Sequence, residues 1–186
     1  VHLFTKYHSK GVSYWLNENQ LKAISNKAYM VMANLIGEKA ADLNMTDPKG
    51  NKTNLYSINS DYTVVVFWDP TCSHCRVEIP RMDSLYQSSW KKQGVKIFAV
   101  LTDTKEKEKW VDFIQQHHLT GWANAYETAS QSDWVTQQKV PSYRQLYNVT
   151  QTPTIYLLDK EKRIIAKHLT LDQTDEVLQT KIKNKK

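Results

Sequence analysis

The feature that most constrains the fold is a strand-like run that leads directly into a pair of cysteines. Residues 62–68 form a continuous apolar, partly β-branched segment, which is typical of a strand buried on both faces of a sheet. Cys72 and Cys75 follow after a short turn, and a helical pattern containing Pro80 comes next. The order strand, turn, helix predicts two cysteines at the edge of a sheet, where the helix begins.

The two cysteines suggest chemistry rather than structural support. They are the only cysteines in the chain, and a disulfide between them closes too small a ring to stabilise the fold much. At a helix N-terminus, the exposed N–H groups and the helix dipole would favour the thiolate of Cys72. The thiolate is the attacking species in disulfide exchange. We therefore predict that Cys72 is the nucleophile and that Cys75, one turn deeper, is the resolving thiol.

The residues around the pair are candidates for tuning it and for binding a substrate. We predict redox tuning by Ser73 and His74, because the histidine can stabilise the Cys72 thiolate and so make the disulfide more oxidising. The alternative is a solvent-exposed His74 with no tuning role. Trp68, just before the turn, is expected to shape the surface of the site and to contact the substrate.

A metal site is not predicted from this cysteine pair. One Cys-x-x-Cys motif supplies two ligands, whereas a structural zinc site needs four. His74, His117 and His118 do not have the spacing of a zinc motif. We predict no cofactor beyond the redox-active disulfide between Cys72 and Cys75.

Composition limits the other functions that the chain can have. Its 186 residues, 40% of them hydrophobic, suit one domain with an extension. The net charge is +6, and four lysines lie in the last six residues. Since the remaining lysines are scattered and no Arg-rich helix occurs, a nucleic-acid partner is not expected.

No apolar run reaches the about 18 residues that span a membrane. The chain starts with Val and shows no signal peptide, so we expect a processed protein or an excised fragment.

Periodicity gives a coarse order of elements along the chain. The pattern predicts helices over residues 14–36, 75–92, 105–118, 143–147 and 172–182, with the rest of 127–150 polar and irregular. It predicts a hairpin within residues 40–60 and strands over 62–68, 95–101, 121–126, 154–158 and 163–168. This order predicts an α/β fold in which a mixed sheet has helices on both faces.

With these motifs in place, the chain resembles the thioredoxin superfamily, and more closely its TlpA/ResA-like branch. The matching residues are Val-Phe-Trp, then Cys-Ser-His-Cys at 72–75, then Pro80, and far downstream the Thr152-Pro153 pair before a strand. The pattern is similar to redoxin domains of Bacteroidetes-type envelope proteins. This resemblance implies a thioredoxin-like fold in which a cis Pro153 faces the cysteines. It also implies that Thr152 offers its backbone to an extended substrate segment.

The resemblance covers residues 38–182 and sets the expected domain boundaries. Residues 1–37 are predicted to be an N-terminal helical extension or the end of a preceding domain. Residues 38–182 would be the thioredoxin-like domain with its N-terminal hairpin, and residues 183–186 a basic tail.

The chain also departs from related patterns at informative positions. Thioredoxin has a buried Asp in the strand where this chain has Val66, so the proton acceptor for Cys75 is not predicted. Peroxiredoxins carry Thr three residues before their cysteine, and here that residue is Asp69. A peroxidase is therefore disfavoured.

The resemblance implies a protein thiol–disulfide oxidoreductase, working as a reductase or an isomerase. Its partners would be protein disulfides or dithiols and a membrane electron donor. The expected location is extracytoplasmic, in the periplasm or cell envelope. The full-length protein can also carry a membrane anchor. The alternative is an envelope docking module of the same fold whose cysteines are regulatory or bind metal.

Overall fold

The fold is built on one mixed sheet, seen in a computed structural model that describes residues 16–184. The helices are α1 (Glu18–Met32), α2 (Ser73–Ser88), α3 (Lys107–Gln116), α4 (Ala129–Gln137), α5 (Tyr143–Leu146) and α6 (Leu171–Lys183). The strands are β1 (Asn44–Thr46), β2 (Lys52–Asn54), β3 (Tyr62–Trp68), β4 (Val95–Leu101), β5 (Ala123–Tyr126), β6 (Thr154–Leu158) and β7 (Ile164–Lys167).

The seven strands lie in the order β2-β1-β5-β4-β3-β6-β7. Strand β3 is parallel to β4 and antiparallel to β6, and β4 is parallel to β5. The hairpin of β1 and β2 joins the sheet through an antiparallel pairing of β1 with β5. The predicted mixed sheet is therefore confirmed, with β3 inside it.

Strand β3 is buried on both faces, as its composition predicts. Successive side chains of a strand point to opposite faces. Val64, Val66 and Trp68 belong to one hydrophobic cluster, together with residues of α2 and α6. Val65 and Phe67 belong to a second cluster on the other face. Helices and loops thus cover both faces of β3. Its C-terminal end leads into the turn that carries the cysteines.

Three predicted strand boundaries agree with the structure at both ends, namely those of β3, β4 and β6. Residues 129–137, predicted to be irregular, form α4 instead, and that prediction was wrong. Helix α4 begins with a capping box in which Thr128 and Gln131 exchange hydrogen bonds. Since none of its residues is fully buried, it lacks the apolar periodicity that reveals a helix in sequence.

The N-terminal helix α1 lies inside the segment predicted to be helical. Residues 14–15 of that prediction fall outside the described residues. Just beyond α1, the Asn34 side chain donates to the carbonyl oxygen of Leu146 at 3.0 Å, and Lys167 donates to the Asn34 backbone at 2.8 Å. These bonds attach the extension to the main domain. No helix within residues 16–184 is both long and apolar enough to cross a bilayer.

Candidate active site

The two cysteines lie at the junction between β3 and α2. Cys72 is the N-cap residue of α2, with φ −71° and ψ 123°, and its side chain is partly exposed. Cys75 is fully buried, and both are free thiols. The spacing of three residues on a helix puts them on the same face. One sulfur is thus reachable from solvent and the other is enclosed.

The Thr152-Pro153 segment faces the exposed cysteine. The peptide bond between Thr152 and Pro153 is cis, and the Cys72 thiol donates to the Thr152 carbonyl oxygen at 3.3 Å. This approach follows from the sheet register, because Phe67 of β3 pairs with Thr154 of β6. The end of β3 and the start of β6 therefore meet beside the cysteines, as the resemblance implied.

Electrostatics separates the two thiols. Partial burial works to raise the pKa of Cys72, but hydrogen bonds from the Thr152 side chain and from the backbone of Cys75 and His74 outweigh it and leave this pKa lowered. Burial raises the pKa of Cys75 to about 12. Cys72 is therefore the more easily ionised sulfur, which is the property of an attacking thiolate.

Asp69 holds the turn between strand and helix. Its carboxylate accepts hydrogen bonds from the backbone N–H and the hydroxyl of Thr71, both at 2.6 Å. Its carbonyl oxygen accepts from the N–H of Cys72 at 3.2 Å. These bonds fix the backbone that presents the nucleophile.

The surface role predicted for Trp68 was wrong. Its side chain is completely buried and packs edge-on against Phe113, with ring centroids 5.2 Å apart. The indole N–H finds no hydrogen-bond partner within residues 16–184. Trp68 is the last residue of a strand covered on both faces. It therefore packs in the core beneath the cysteine turn and cannot touch a substrate.

Ser73 and His74 are exposed at the start of α2. The backbone N–H of His74 is among the groups that lower the pKa of Cys72. A tuning role for either side chain stays a prediction.

A groove of about 840 Å³ opens beside the cysteines, and no sequence pattern indicated one of its two walls. One wall is α2, from Ser73 to Arg81, and the floor includes Pro153. The other wall is the segment from His168 to Asp172. Only the sheet topology brings this late segment to the cysteine pair, and no local motif marks it.

Within residues 16–184, no cluster of three or more His, Cys, Asp or Glu side chains is placed to hold a metal ion.

A mixed sheet, a Cys-x-x-Cys pair at a helix N-terminus and a facing cis-proline together define a thioredoxin-like protein. The chain belongs to the AhpC/TSA family, which it matches over residues 36–167.

Individual relatives agree with this assignment. Thiol-disulfide oxidoreductase ResA of Bacillus cereus is 30% identical over 145 residues, which are 77% of this chain and 75% of that protein. Among solved structures, a domain of a possible thiol-disulfide isomerase from Cytophaga hutchinsonii is 30% identical with TM-score 0.67, covering 81% of this chain and 95% of that one. The thioredoxin domain of a thiol-disulfide oxidoreductase from Bacteroides vulgatus is 28% identical with TM-score 0.66, covering 80% and 98%. Fold, family and relatives place this chain among the thiol–disulfide oxidoreductases.

Proposed function

We propose that this protein reduces or isomerises protein disulfides with the Cys72–Cys75 dithiol. The observation that carries the proposal is the position of Cys72, which caps α2 with a lowered pKa and faces the Thr152-Pro153 segment. A nucleophilic thiolate next to a groove and above a buried second thiol can form and then resolve a mixed disulfide.

In the first step the Cys72 thiolate attacks one sulfur of a substrate disulfide. A bond forms between Cys72 and that sulfur while the substrate S–S bond breaks, and the second substrate sulfur leaves as a thiolate. The backbone N–H groups of His74 and Cys75 that lower the pKa of Cys72 favour this thiolate. The buried Cys75 does not attack in this step, because its pKa of about 12 keeps it protonated, and its thiol helps to lower the pKa of Cys72 through a hydrogen bond.

In the second step Cys75 loses its proton and attacks the sulfur of Cys72. The Cys72–Cys75 bond forms while the bond between Cys72 and the substrate sulfur breaks, and that sulfur leaves as a thiolate whose protonation balances the proton lost by Cys75. Two electrons have then passed to the substrate. Apart from burial, the hydrogen bond and the charge of Cys72 help to raise the pKa of Cys75. That charge disappears in the mixed disulfide, so Cys75 becomes easier to ionise when it is needed.

Insulin reduction in the presence of dithiothreitol tests the proposal. Wild-type protein should accelerate precipitation of the insulin B chain, and Cys72→Ser should abolish the acceleration. Cys75→Ser should instead accumulate a mixed disulfide that is visible on a non-reducing gel. Turnover by Cys72→Ser at the wild-type rate would disprove the nucleophile assignment.

The competing function is a docking module whose cysteines are regulatory or bind metal. No insulin reduction by wild-type protein, combined with stoichiometric uptake of zinc or copper, would support that function instead. If the protein does reduce insulin, the reduction potential of the cysteine pair would show whether it acts as a reductant or as an oxidant, since the two differ by roughly 150 mV in this class.

The proposal includes an extracytoplasmic location and a membrane electron donor that restores the dithiol. Both follow from the branch that the sequence resembles, and substrate disulfides persist mainly in oxidising compartments. Fractionation of cells that express the full-length protein, with the redox state of Cys72 read by thiol labelling, tests both parts.

A further inference from the structure

The groove beside the cysteines has an apolar half and a charged half. Its apolar lining residues include Val77, Pro153 and Leu169, and Pro153 belongs to the segment that faces Cys72. Val77 is 59% exposed, although it lies only five residues beyond Cys72 on α2. As an exposed apolar residue in the groove lining, Val77 offers a contact to a hydrophobic group of the substrate.

The charged half lies where α2 meets the first turn of α6. The Arg81 guanidinium bridges Glu78 at 2.7 Å and Asp172 at 2.9 Å. Two carboxylates thus share one cation, and the three groups together carry a net negative charge. His168 adds no compensating charge at neutral pH, because burial and the neighbouring Lys167 lower its pKa. This end of the groove is acidic on a chain whose overall charge is +6.

The two carboxylates keep capacity for a further cation. Each uses one oxygen to bind Arg81, and within residues 16–184 no hydrogen bond reaches the other oxygen of Glu78 or Asp172. The Asp172 side chain is 76% exposed, so a ligand can reach it from solvent. A carboxylate with a free oxygen binds an ammonium or guanidinium group through a charge-assisted hydrogen bond.

From this arrangement we propose that the groove selects substrates whose reactive cysteine is flanked by an apolar residue and, two to four positions away, by lysine or arginine. The spacing follows from geometry. Six residues of α2 separate Cys72 from Glu78, a rise of about 9 Å, and an extended peptide covers that length in about three residues. The inference rests on the proposed disulfide exchange at Cys72 and names the substrate class of that exchange.

Three peptide disulfides that differ at one position test the selection. Each carries Val next to the cysteine and either Lys, Gln or Glu three positions away, and kcat/KM for reduction is measured with dithiothreitol as the recycling reductant. Lys should exceed Gln, and Gln should exceed Glu, by roughly threefold at each step, as expected for partly exposed ion pairs. The differences should shrink as salt is added.

Two variants with the same change of charge locate the effect. Asp172→Asn should reduce the ratio of the Lys rate to the Glu rate, because it removes one carboxylate from the groove. Asp133→Asn, an exposed position of α4 outside the groove, should leave that ratio at the wild-type value. For the apolar half, Val77→Ser should weaken the preference for Val over Ser beside the substrate cysteine.

The results separate this inference from the function on which it rests. Equal rates for the Lys, Gln and Glu peptides, or an unchanged ratio in Asp172→Asn, would overturn the proposed selection while leaving disulfide exchange intact. Failure of wild-type protein to reduce any of the three peptides would overturn the exchange itself and the selection with it.

Discussion

The thiol of Cys72 lies 3.3 Å from the carbonyl oxygen of Thr152, a residue 80 positions away in the sequence. The two parts of Thr152 act on this sulfur in opposite directions. Its carbonyl accepts from the thiol and favours the protonated form, whereas its side chain helps to lower the pKa of Cys72. The lowered pKa means that the hydrogen bonds favouring the thiolate outweigh partial burial, which by itself would raise the pKa of Cys72.

Replacing the Thr152 hydroxyl should therefore raise the pKa of Cys72. Thr152→Val keeps the β-branched shape before Pro153 but removes one hydrogen bond to the thiolate, worth about 1 kcal/mol. Alkylation of Cys72 by iodoacetamide at neutral pH should slow by roughly fivefold. Ultraviolet titration of the thiolate should show the midpoint moving to higher pH.

Thr71→Val is the matched control for this prediction. Its hydroxyl donates to Asp69, not to the sulfur, although Thr71 is the sequence neighbour of Cys72. A shift in Thr71→Val as large as that in Thr152→Val would show that the effect comes from the turn and not from the hydroxyl that faces the sulfur.

The burial of Trp68 predicts a role in stability. Trp68→Ala removes a fully enclosed ring that packs against Phe113, and such changes cost about 3–5 kcal/mol. Equilibrium unfolding in urea should show this loss. Trp134→Ala is the control, because that ring is 57% exposed and should cost about 1 kcal/mol or less. Equal losses in the two variants would contradict the packing assigned to Trp68.

Sequence patterns predicted the central strands because burial leaves a local record. Three strands, β3, β4 and β6, are short β-branched or apolar runs, and the ends of each run mark the first and last residues of the strand. The Trp68 prediction failed for the same reason that the β3 prediction succeeded. A strand buried on both faces hides its last residue too, and nearness to Cys72 in sequence does not imply exposure.

The cysteine pair was predictable from its motif, and the cis-proline was predictable only from the family resemblance. The acidic end of the groove was not, since Arg81 and Asp172 meet across 91 positions of sequence. Their contact depends on how α6 returns over the sheet after β7. Strand order decides that return, and hydrophobic periodicity does not report strand order.

Lys162 gives a prediction at the opposite end of β3. Its ammonium group is buried and donates to the carbonyl oxygen of Ile58 at 2.7 Å and to the hydroxyl of Thr63 at 2.9 Å. Burial lowers the pKa of this lysine. Lys162→Met should destabilise the fold by about 1–3 kcal/mol, because the partly buried Ile58 carbonyl loses its donor. Chemical denaturation measures the loss.

Lys160→Met, an exposed position in the same turn, controls for the general effect of removing a lysine. Its free energy of unfolding should stay within about 0.5 kcal/mol of wild type. Should Lys162→Met behave like Lys160→Met, the two hydrogen bonds contribute nothing net.

His168 makes stability depend on pH in mild acid. It lies at the end of β7 with φ 55° and is exposed overall, while its Nε2 lies 3.2 Å from the Tyr156 hydroxyl at a partly buried contact. Burial, and then the charge of Lys167, lower its pKa below the ordinary 6.5. As the pH falls below 6.5, the unfolded chain binds a proton that the folded chain does not yet bind. Stability contributed by this group is therefore lost as the pH falls toward its folded pKa.

One such proton gives a slope of at most about 1.4 kcal/mol per pH unit in that window. His168→Asn should reduce the slope, since asparagine tolerates the left-handed backbone but does not titrate. The same change at His118, which also has a left-handed backbone with φ 54° and is also exposed, controls for removing an exposed histidine from such a position. Urea unfolding of wild type and both variants at several pH values measures the slopes. His168→Asn should flatten the curve relative to wild type. A wild-type slope in His168→Asn, or an equal change in the control variant, would contradict the prediction.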